Sequence, residues 1–410
     1  MNRDVQAELG ELLGPGRIRQ PRGFEQAVAR VVLEPAGLDE MGELMRVCER
    51  DRITIAPIGA CRTLRHLRTH PVDAAISLNH LADVISHEPD DMTVAVGAGI
   101  TLGALEAALG RHGQHLPVDP PLPEQTTVGA MLGAAQGGPL RLSAGSVRDF
   151  LIGVQFVGHG GSAVRGGGRV VKNVAGYDLM KVMIGSFGTL GIITEATFKV
   201  TPLPEVYAMA LSYHANLNDA FEAGFQLHDA LPLLHLEILS PGLRTPMARD
   251  GRYLLAAGMG GNRKDVDYQI DQIRRTLAGI AVAEGEEAQR FYSAVRDVEL
   301  PAAAIRMQLS VMPREMPSCL NGLAVQFRAH AGSGVAQVAF EGGAEAAAQL
   351  RRAAAQARGH ARVLALDPAL RGAIAFFDQP AAGVMKLMAR LKAAFDPAGI
   401  FNPGCFVGGL

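Results

Sequence analysis

The stretch that decides the fold reads Lys172-Asn173-Val174-Ala175-Gly176-Tyr177-Asp178-Leu179 and continues as Ile184-Gly185-Ser186-Phe187-Gly188-Thr189-Leu190-Gly191. It is rich in glycine and polar residues, yet it lies between two apolar segments, 151–157 and 191–200, that predict buried strands. Loops with so high a cost in backbone entropy commonly line a ligand. Because 21 of the 48 glycines lie between Gly97 and Gly191, we expect the backbone of this region to turn tightly or to approach a ligand closely.

The bulk composition is that of an ordinary globular protein. The 410 residues predict two to three domains, and 39 basic against 41 acidic residues leave no field that would attract nucleic acid. The sequence shows neither a signal-like apolar start nor an apolar segment of about 18 residues, so we expect a cytoplasmic location without membrane insertion. The four cysteines are far apart, which favours reduced thiols over disulfides or a zinc site.

Local patterns predict a change of architecture near Pro204. Before it, a helix is predicted over 38–52, short strands over 53–56, 75–78 and 92–96, and a helix capped by Thr101. After it glycine becomes rarer, and longer amphipathic helices are predicted over 262–279 and 341–358. A last apolar stripe from Val384 to Phe395 is interpreted as core packing. We therefore expect a glycine-rich α+β portion, a second α/β portion and a C-terminal tail.

Two loops have the composition of an anion-binding backbone. Pro57-Ile58-Gly59-Ala60-Cys61-Arg62-Thr63 follows a strand, and its small residues either present N–H groups to an anion or form an ordinary strand-to-helix turn. In the segment 120–133, Thr126 and Thr127 are candidate donors to phosphate, while Gly129 and Gly133 allow the backbone to come close. Neither a Walker lysine nor a Gly-x-Gly-x-x-Gly helix start is present, so a P-loop and a Rossmann site are not supported.

The glycine-rich stretch resembles the vanillyl-alcohol-oxidase/PCMH-type FAD-binding family, and within it the D-2-hydroxy-acid dehydrogenase branch. The tail, Phe395-Asp396-Pro397-Ala398-Gly399-Ile400-Phe401-Asn402-Pro403-Gly404, is similar to the ending of that branch. Gly138-Pro139-Leu140-Arg141 and the segment 145–153 resemble the accessory FAD-binding (E) subunits of bacterial glycolate oxidases. Several separate motifs occur in the family's order, and together they cover about residues 21–204 and 384–404.

The resemblance implies an α+β fold in three parts. A PCMH-type FAD-binding domain of two subdomains is expected at 21–204, an inserted α/β cap domain at 205–375, and a segment that returns to the FAD domain at 376–410. FAD is implied between the two subdomains, with its pyrophosphate held by loops.

The same resemblance implies positions for the cofactor-binding residues. Pyrophosphate contacts are implied for Pro57, Ile58, Gly59, Ala60, Cys61 and Arg62, and for Thr126, Thr127, Val128 and Gly129, with Gly133 close behind. Gly145, Ser146 and Asp149 are implied along the flavin or ribityl chain, Ile193 on the adenine side and Asn402 near the isoalloxazine. No catalytic residue is assigned.

Two departures from the family pattern bear on function. The first loop of the family reads Pro-x-Gly-Gly-Gly followed by Ser or Thr, whereas this chain has Ala60, Cys61 and Arg62. Added Cβ atoms are unfavourable where φ is positive, although Arg62 offers a charge-assisted contact to phosphate. The family's His-x-Gly-Asp-Gly-Asn-x-His segment, which helps to bind a metal and the substrate, is matched only by His330-Ala331-Gly332-Ser333-Gly334-Val335-Ala336-Gln337. With one imidazole left, no metal site is expected.

The function implied is that of an FAD-binding subunit of a glycolate oxidase-type complex that oxidises 2-hydroxy acids. The expected partners are a paralogous catalytic flavoprotein subunit and a separate iron–sulfur subunit, because the chain has no cysteine cluster of its own. Attachment at the inner membrane would then be peripheral and through these partners. Two alternatives stay open: a self-sufficient FAD-dependent D-2-hydroxy-acid (D-lactate) dehydrogenase, and a non-catalytic scaffold that has lost tight FAD binding.

Several single residues have both a functional and a structural interpretation. The pairs His66/His70 and His112/His115 have zinc-like spacing but lack a third ligand, so we expect surface histidines. Cys61 is expected as a buried thiol rather than a covalent flavin link. Asp178 is expected to cap the following helix, and Tyr177 to pack. Lys172 is equally consistent with a solvated side chain and with a contact to an anionic substrate or a flavin phosphate.

Overall fold

The computed structural model describes residues 3–62, 64–68, 70–168 and 178–410. The predictions for Lys172 and Tyr177 therefore lie outside the described residues. The helices are α1 Arg3–Leu13, α2 Leu38–Arg50, α3 Leu64–Leu67, α4 Leu102–Gly110, α5 Val128–Ala134, α6 Arg141–Ala144, α7 Val147–Phe150, α8 Leu179–Met183, α9 Leu217–Ala230, α10 Arg263–Thr276, α11 Gly285–Arg296, α12 Met316–Leu320, α13 Ala344–Gln356 and α14 Ala382–Phe395.

The strands alternate with these helices along the chain. They are β1 Ile18–Arg19, β2 Ala29–Leu33, β3 Ile55–Ile58, β4 Val72–Ser77, β5 Val84–Glu88, β6 Thr93–Gly97, β7 Gln114–His115, β8 Leu151–Val157, β9 Ala163–Gly167, β10 Ile192–Lys199, β11 Thr201–Pro202, β12 Val206–His214, β13 His235–Leu239, β14 Tyr253–Gly261, β15 Ala281–Glu284, β16 Ile305–Ser310, β17 Gln326–His330, β18 Val335–Phe340 and β19 His360–Leu366.

Three large sheets, and a two-stranded one formed by β7 and β11, organise the described residues. The first has the order β1-β2-β4-β3, with parallel pairing of β2 and β3 to β4. The second is antiparallel, with the order β5-β6-β10-β8-β9. The third contains eight antiparallel strands in the order β15-β12-β14-β13-β17-β18-β16-β19. This mixture of parallel and antiparallel sheets with helices is the α+β fold that the sequence predicts.

Local sequence explains the central elements. β8 and β10 lie inside the second sheet and are nearly all buried, so β8 is almost wholly apolar, while β10 also buries Thr194 and Thr197. In α2, Met41, Leu44 and Cys48 are buried at helical spacing, as predicted. Thr101 caps α4 by accepting a hydrogen bond from Ala104 N, and Asp178 caps α8 by accepting one from Lys181 N, so both predicted caps are confirmed.

The C-terminal segment completes the first sheet. Ile400 O accepts a hydrogen bond from Ile55 N at 2.8 Å, and Asn402 N donates to Ile55 O at 2.6 Å, so the tail pairs with the edge of β3. Ile400 and Phe401 belong to the same hydrophobic core as the first two sheets, whereas a second core lies against the eight-stranded sheet. The last residues of the chain are therefore part of the N-terminal half of the structure.

A buried ion pair holds this segment in place. Lys392 Nζ donates to Asp396 Oδ2 at 2.6 Å, to Thr189 O at 2.7 Å and to Phe401 O at 2.8 Å. The carboxylate of Asp396, whose side chain has 0% exposure, also accepts hydrogen bonds from Ile400 N and Phe401 N. One lysine and one aspartate thus fix α14, the tail and the loop at Thr189 together.

The interpretation of the Val384 stripe as core packing is wrong for the first half of α14. Val384 is 46% exposed and Leu387 is 65% exposed, while Leu391 and Phe395 pack against the first core. The reason is geometric, since only the last turns of α14 reach the core and its first turns extend beyond it. Across the described residues, every helix is too short or too polar to span the hydrocarbon core of a bilayer.

We predict that Lys392→Met lowers the free energy of unfolding by about 3–5 kcal/mol, because it leaves the buried Asp396 carboxylate without its cation. Lys386→Met is the matched control, since Lys386 is exposed on the same helix. Equilibrium unfolding in urea measures both variants, and equal stabilities of the two variants would show that the ion pair does not anchor the tail.

Candidate functional site

A cavity of about 290 Å³ lies between the loops of the first two sheets and one face of the eight-stranded sheet. One wall is formed by the segments 57–62, 125–127, 129–130, 133–138 and 186–188, together with Gly191 and Ile193. The opposite wall is formed by 297–300 and by side chains of β16, β17, β18 and β19. Of the residues predicted to bind the cofactor, Pro57, Ile58, Gly59, Ala60, Cys61, Arg62, Thr126, Thr127, Gly129, Gly133 and Ile193 line this cavity.

The first predicted loop follows β3 and packs tightly against the second. A Cβ atom on Gly59 would lie 2.6 Å from Thr127 Oγ1, so the approach of the two loops requires glycine there. Of the two positions where this chain replaces a family glycine, Cys61 has a positive φ, at +57°, while Ala60 does not. A left-handed conformation costs a residue with a Cβ about 1–2 kcal/mol. The departure at position 61 is therefore accommodated at a cost in backbone strain.

Arg62 connects the two loops to the opposite wall. Its guanidinium donates to Gln125 Oε1 at 3.0 Å and to Glu299 Oε1 at 2.9 Å. The contact that the sequence predicts between Arg62 and phosphate stays a prediction. In the structure the arginine acts as a polar link across one edge of the cavity.

The residues of the second loop have different surroundings. The hydroxyl of Thr126 donates to Pro121 O at 3.0 Å, and the hydroxyl of Thr127 accepts from Ala130 N as the cap of α5. Val128 is fully buried and does not line the cavity. Gly129 packs against Ala98, whereas a Cβ atom on Gly133 would meet nothing within 4 Å. Of these two glycines, only Gly133 borders open space.

Gly145 and Ser146 line a second, adjoining cavity of about 250 Å³, which shares Arg141 and the segment 135–138 with the first. Asp149 lines neither cavity. Its carboxylate accepts hydrogen bonds from Ser146 N at 2.8 Å and Ser146 Oγ at 2.9 Å, and these bonds lower the pKa of Asp149. Asp149 therefore shapes the loop that carries Ser146.

Asn402 also lies behind the cavity wall and not on it. It is fully buried, its Oδ1 accepts a hydrogen bond from Arg68, and its Nδ2 donates to Phe187 O. Phe187 lines the cavity. Asn402 thus supports the loop 186–188, and its contact with an isoalloxazine stays a prediction.

Most residues of the opposite wall were not predicted from the sequence as site residues. Arg306, Gln308, Arg328, Gln337 and Arg362 line the cavity from four strands. A sequence pattern that indicates such a polar face is present. Polar residues recur at every second position of otherwise apolar strands, as in Arg306-Met307-Gln308 and Arg328-Ala329-His330. Gln337, where the resembled family has its second metal-binding histidine, accepts a hydrogen bond from Arg328.

The expectation that His66 is a surface histidine is also wrong. His66 is half-buried, lines the cavity and accepts a hydrogen bond from Arg65 Nε at 2.9 Å. Burial and the neighbouring arginines lower the pKa of His66 to about 4, so the ring is neutral at pH 7. His70 and His112 are exposed, as expected, while His115 is half-buried.

A buried polar network joins the two walls behind the cavity. Tyr292 donates to Asp119, Tyr207 is 2.6 Å from His235 Nε2, and His330 Nδ1 is 2.7 Å from Glu237 Oε2. Burial raises the pKa of Asp119 to about 7 and lowers the pKa of His235 to about 3. Within the residues the structure describes, no three His, Cys, Asp or Glu side chains are grouped as metal ligands.

Comparison with known proteins places these loops in a family. Residues 29–167 match the family model of the FAD binding domain, and residues 379–405 match that of the C-terminal domain of FAD linked oxidases. The glycolate oxidase subunit GlcE of Escherichia coli is 32% identical to this chain over 78% of the chain and 83% of GlcE. The chain belongs to the PCMH-type FAD-linked oxidase family.

Two further similarities agree with this membership. The glycolate oxidase subunit GlcD of Bacillus subtilis is 32% identical over 48% of this chain and 42% of GlcD. A solved alkyldihydroxyacetonephosphate synthase, 15% identical, superposes with a TM-score of 0.72 over 98% of this chain and 85% of that structure, which shows the fold. The chain is accordingly an FAD-dependent oxidoreductase of PCMH-type α+β fold.

The residues that this FAD-linked oxidase places around the cavity fit FAD. Among the described residues, the lining holds six arginines against two carboxylates, which suits a ligand with a pyrophosphate. Ser186, which is 2% exposed and lines the cavity, has a hydroxyl that finds no partner within the described part of the chain. Gly133 and Gly137 border open space that a Cβ would fill. An unsatisfied buried hydroxyl and an open glycine cradle are features that a bound ligand completes.

We predict that Gly133→Ala changes stability and FAD affinity in opposite directions. The added methyl favours helix α5 by up to about 1 kcal/mol but occupies space at the cavity wall, so the Kd for FAD should rise about tenfold. Gly110→Ala is the control, because Gly110 is exposed in α4 and also has nothing within 4 Å of its Cβ position. Thermal unfolding and a fluorescence titration with FAD measure the two effects, and an unchanged FAD affinity in Gly133→Ala would contradict this placement of the cofactor.

We also predict that the four thiols of the native protein are unreactive near neutral pH. All four cysteines are buried, and burial raises the pKa of Cys48 and of Cys61 to about 12, so the reactive thiolate is scarce. A chromogenic disulfide reagent should therefore label no thiol before denaturation and all four after it. Rapid labelling of Cys61 in the native protein would contradict its burial.

Proposed function

We propose that this chain is the FAD-binding subunit of a glycolate oxidase-type complex, which oxidises a 2-hydroxy acid such as glycolate to the 2-oxo acid and passes the electrons to an iron–sulfur subunit. The observation that carries the proposal is the cavity itself, in which the glycine loops of an FAD domain face an arginine-rich sheet. The similarity to GlcE over most of its length supports the choice of complex.

In this proposal FAD supplies the acceptor for the hydride that leaves the α-carbon of the acid. Loop 57–62 and the segment from Thr126 to Gly129 would hold its pyrophosphate, and the hydroxyl of Ser186 would donate a hydrogen bond to it. The eight-stranded sheet lines the cavity from the other side and would shield a bound flavin from water there. The three-part division at 21–204, 205–375 and 376–410 is proposed with it, supported by the membership of the strands in separate sheets.

The partners are proposed from what this chain lacks and from its relatives. An iron–sulfur cluster needs several cysteine ligands close together, whereas the four cysteines here are separately buried. A separate iron–sulfur subunit is therefore proposed as the electron acceptor. A paralogous catalytic flavoprotein subunit is proposed because GlcD is itself named as a subunit of glycolate oxidase. We propose a cytoplasmic location, with attachment at the inner membrane through these partners.

The absorbance spectrum of the purified chain tests the proposal. We expect a flavin absorbance band at about 450 nm that is retained after gel filtration with FAD. Glycolate should bleach this band when the chain is co-purified with its partner subunits. A spectrum without the band, even with added FAD, would support the scaffold alternative. Turnover of D-lactate or glycolate by the chain alone, with a dye acceptor, would instead establish a self-sufficient dehydrogenase.

A further inference from the structure

One buried carboxylate joins the FAD-binding domain to a helix of the other half of the molecule. Asp119 is 4% exposed and lies in the loop that leads from β7 towards α5. Its two carboxylate oxygens accept hydrogen bonds from Leu140 N at 3.1 Å each, and Oδ2 also accepts one from the hydroxyl of Tyr292 on α11. A single side chain therefore holds together two loops of the FAD-binding domain and α11.

The loop that Asp119 anchors separates the two cavities. Gly137 and Gly138 line both of them, and Asp119 itself lines the smaller one. A Cβ atom on Gly138 would collide with Asp119 O and would lie 2.9 Å from its carboxyl carbon, so glycine is needed where these loops meet. A shift of the Asp119 carboxyl group therefore moves the backbone that lies between the cavities.

The end of α11 holds the same loop at a second point. Leu122 N donates to Asp297 Oδ1 at 2.8 Å, and both residues line the larger cavity. The segment 119–122 is thus bound to α11 through two carboxyl groups, and it leads directly to Thr126 and Thr127. The position of α11 is in this way passed on to the loop in which pyrophosphate contacts are proposed.

The two carboxyl groups differ in their electrostatic surroundings. Asp297, whose side chain is 25% exposed, forms an ion pair with Arg296 at 2.9 Å. Within the described residues, no cationic side chain forms a hydrogen bond or an ion pair with Asp119. The ionisable groups around Asp119 are Tyr292 on α11, Tyr207 on β12, His235 and Glu237 on β13, Arg328 and His330 on β17, and Arg141 on α6.

Burial outweighs the effect of these neighbours and raises the pKa of Asp119 to about 7. The neutral acid and the carboxylate are therefore both populated near neutral pH. Because the folded chain holds this proton more tightly than the unfolded chain does, the resulting stabilisation is complete below an ordinary aspartate pKa of about 3.9 and is lost as the pH rises through about 7.

We propose that Asp119 is a positioning residue for the flavin site, which couples α11 to the flavin loops and supports the tightest FAD binding when its carboxyl group is protonated. The neutral group still accepts from Leu140 N and donates its proton to the oxygen of Tyr292. The ionised group places a buried charge without a cation beside a site for the pyrophosphate anion, which disfavours binding. The proposal rests on the proposed placement of FAD and adds a proton linkage to it.

A fluorescence titration of the full chain with FAD, repeated at several pH values, tests this linkage. The Kd of the wild-type chain should rise roughly fivefold between about pH 5.5 and about pH 8.5, because binding is coupled to the protonation of one group. In Asp119→Asn the Kd should vary less than about twofold over this range, since the amide keeps the shape and both hydrogen bonds of the neutral acid. Asp297→Asn is the matched control and should keep the wild-type pH dependence, because it changes the other contact of the same loop.

A wild-type Kd that does not vary with pH would overturn the proposal. The same holds if Asp119→Asn keeps the full pH dependence or if Asp297→Asn loses it. Should Asp119→Asn fail to fold, Tyr292→Phe replaces it. This variant removes the hydroxyl that stabilises the carboxylate, so the midpoint of the pH dependence should move to higher pH, and an unchanged midpoint would count against Asp119.

Thermal unfolding of the chain without FAD gives a readout that does not depend on the flavin. The Tm of the wild type relative to that of Asp119→Asn should fall as the pH rises from about 5 to about 7.5, and parallel Tm curves would contradict the role of this carboxyl group. A chain that binds FAD with a pH-independent Kd contradicts this inference alone. A chain that binds no FAD at any pH contradicts the proposed function and this inference with it.

Discussion

The docking of the C-terminal tail is the interaction on which the cofactor side of the molecule depends. The Lys392–Asp396 pair, buried and saturated with backbone hydrogen bonds, fixes the tail against the edge of β3. The loop 57–62 follows β3 directly, and the loop 186–188 is held by Asn402, so two loops of the glycine-rich wall depend on this contact for their position. A buried carboxylate that loses its cation is strongly destabilising. Loss of this ion pair should therefore release the tail as a whole.

Polar contacts close one part of the cavity, while Phe187 packs against Phe377 at another. Arg62 reaches Glu299, Leu122 N donates to Asp297, and Tyr292 donates to Asp119. The polar contacts are directional. In the described lining of the cavity, arginines outnumber carboxylates, so positive charge is in excess there. The interior is thereby suited to an anionic ligand such as the pyrophosphate of FAD.

Local sequence was enough to predict helices, strands and caps, but not which residues become neighbours across the strands of a sheet. The prediction of a strand over 151–157 matches β8, and Thr101 and Asp178 cap helices as expected, because these features depend on near neighbours in the chain. The resemblance led to the loops of the cavity through Gly59 and Gly133. The polar residues that β16, β17, β18 and β19 place side by side on the cavity face, such as Gln308 and Gln337, could not be predicted. Their alignment depends on the register of four strands contributed by segments far apart in the chain. For the same reason the exposure of Val384 was missed: periodicity identifies an apolar face but not how far the core extends beneath it.

The bridge between Ile55 and Phe401 joins residues from nearly opposite ends of the chain. Because Phe401 is synthesised long after Ile55, the edge of β3 stays unpaired until the tail segment has been made. A variant in which the tail is deleted would keep this open edge, and the loop 57–62 that follows β3 would lose the neighbour beside which it is built.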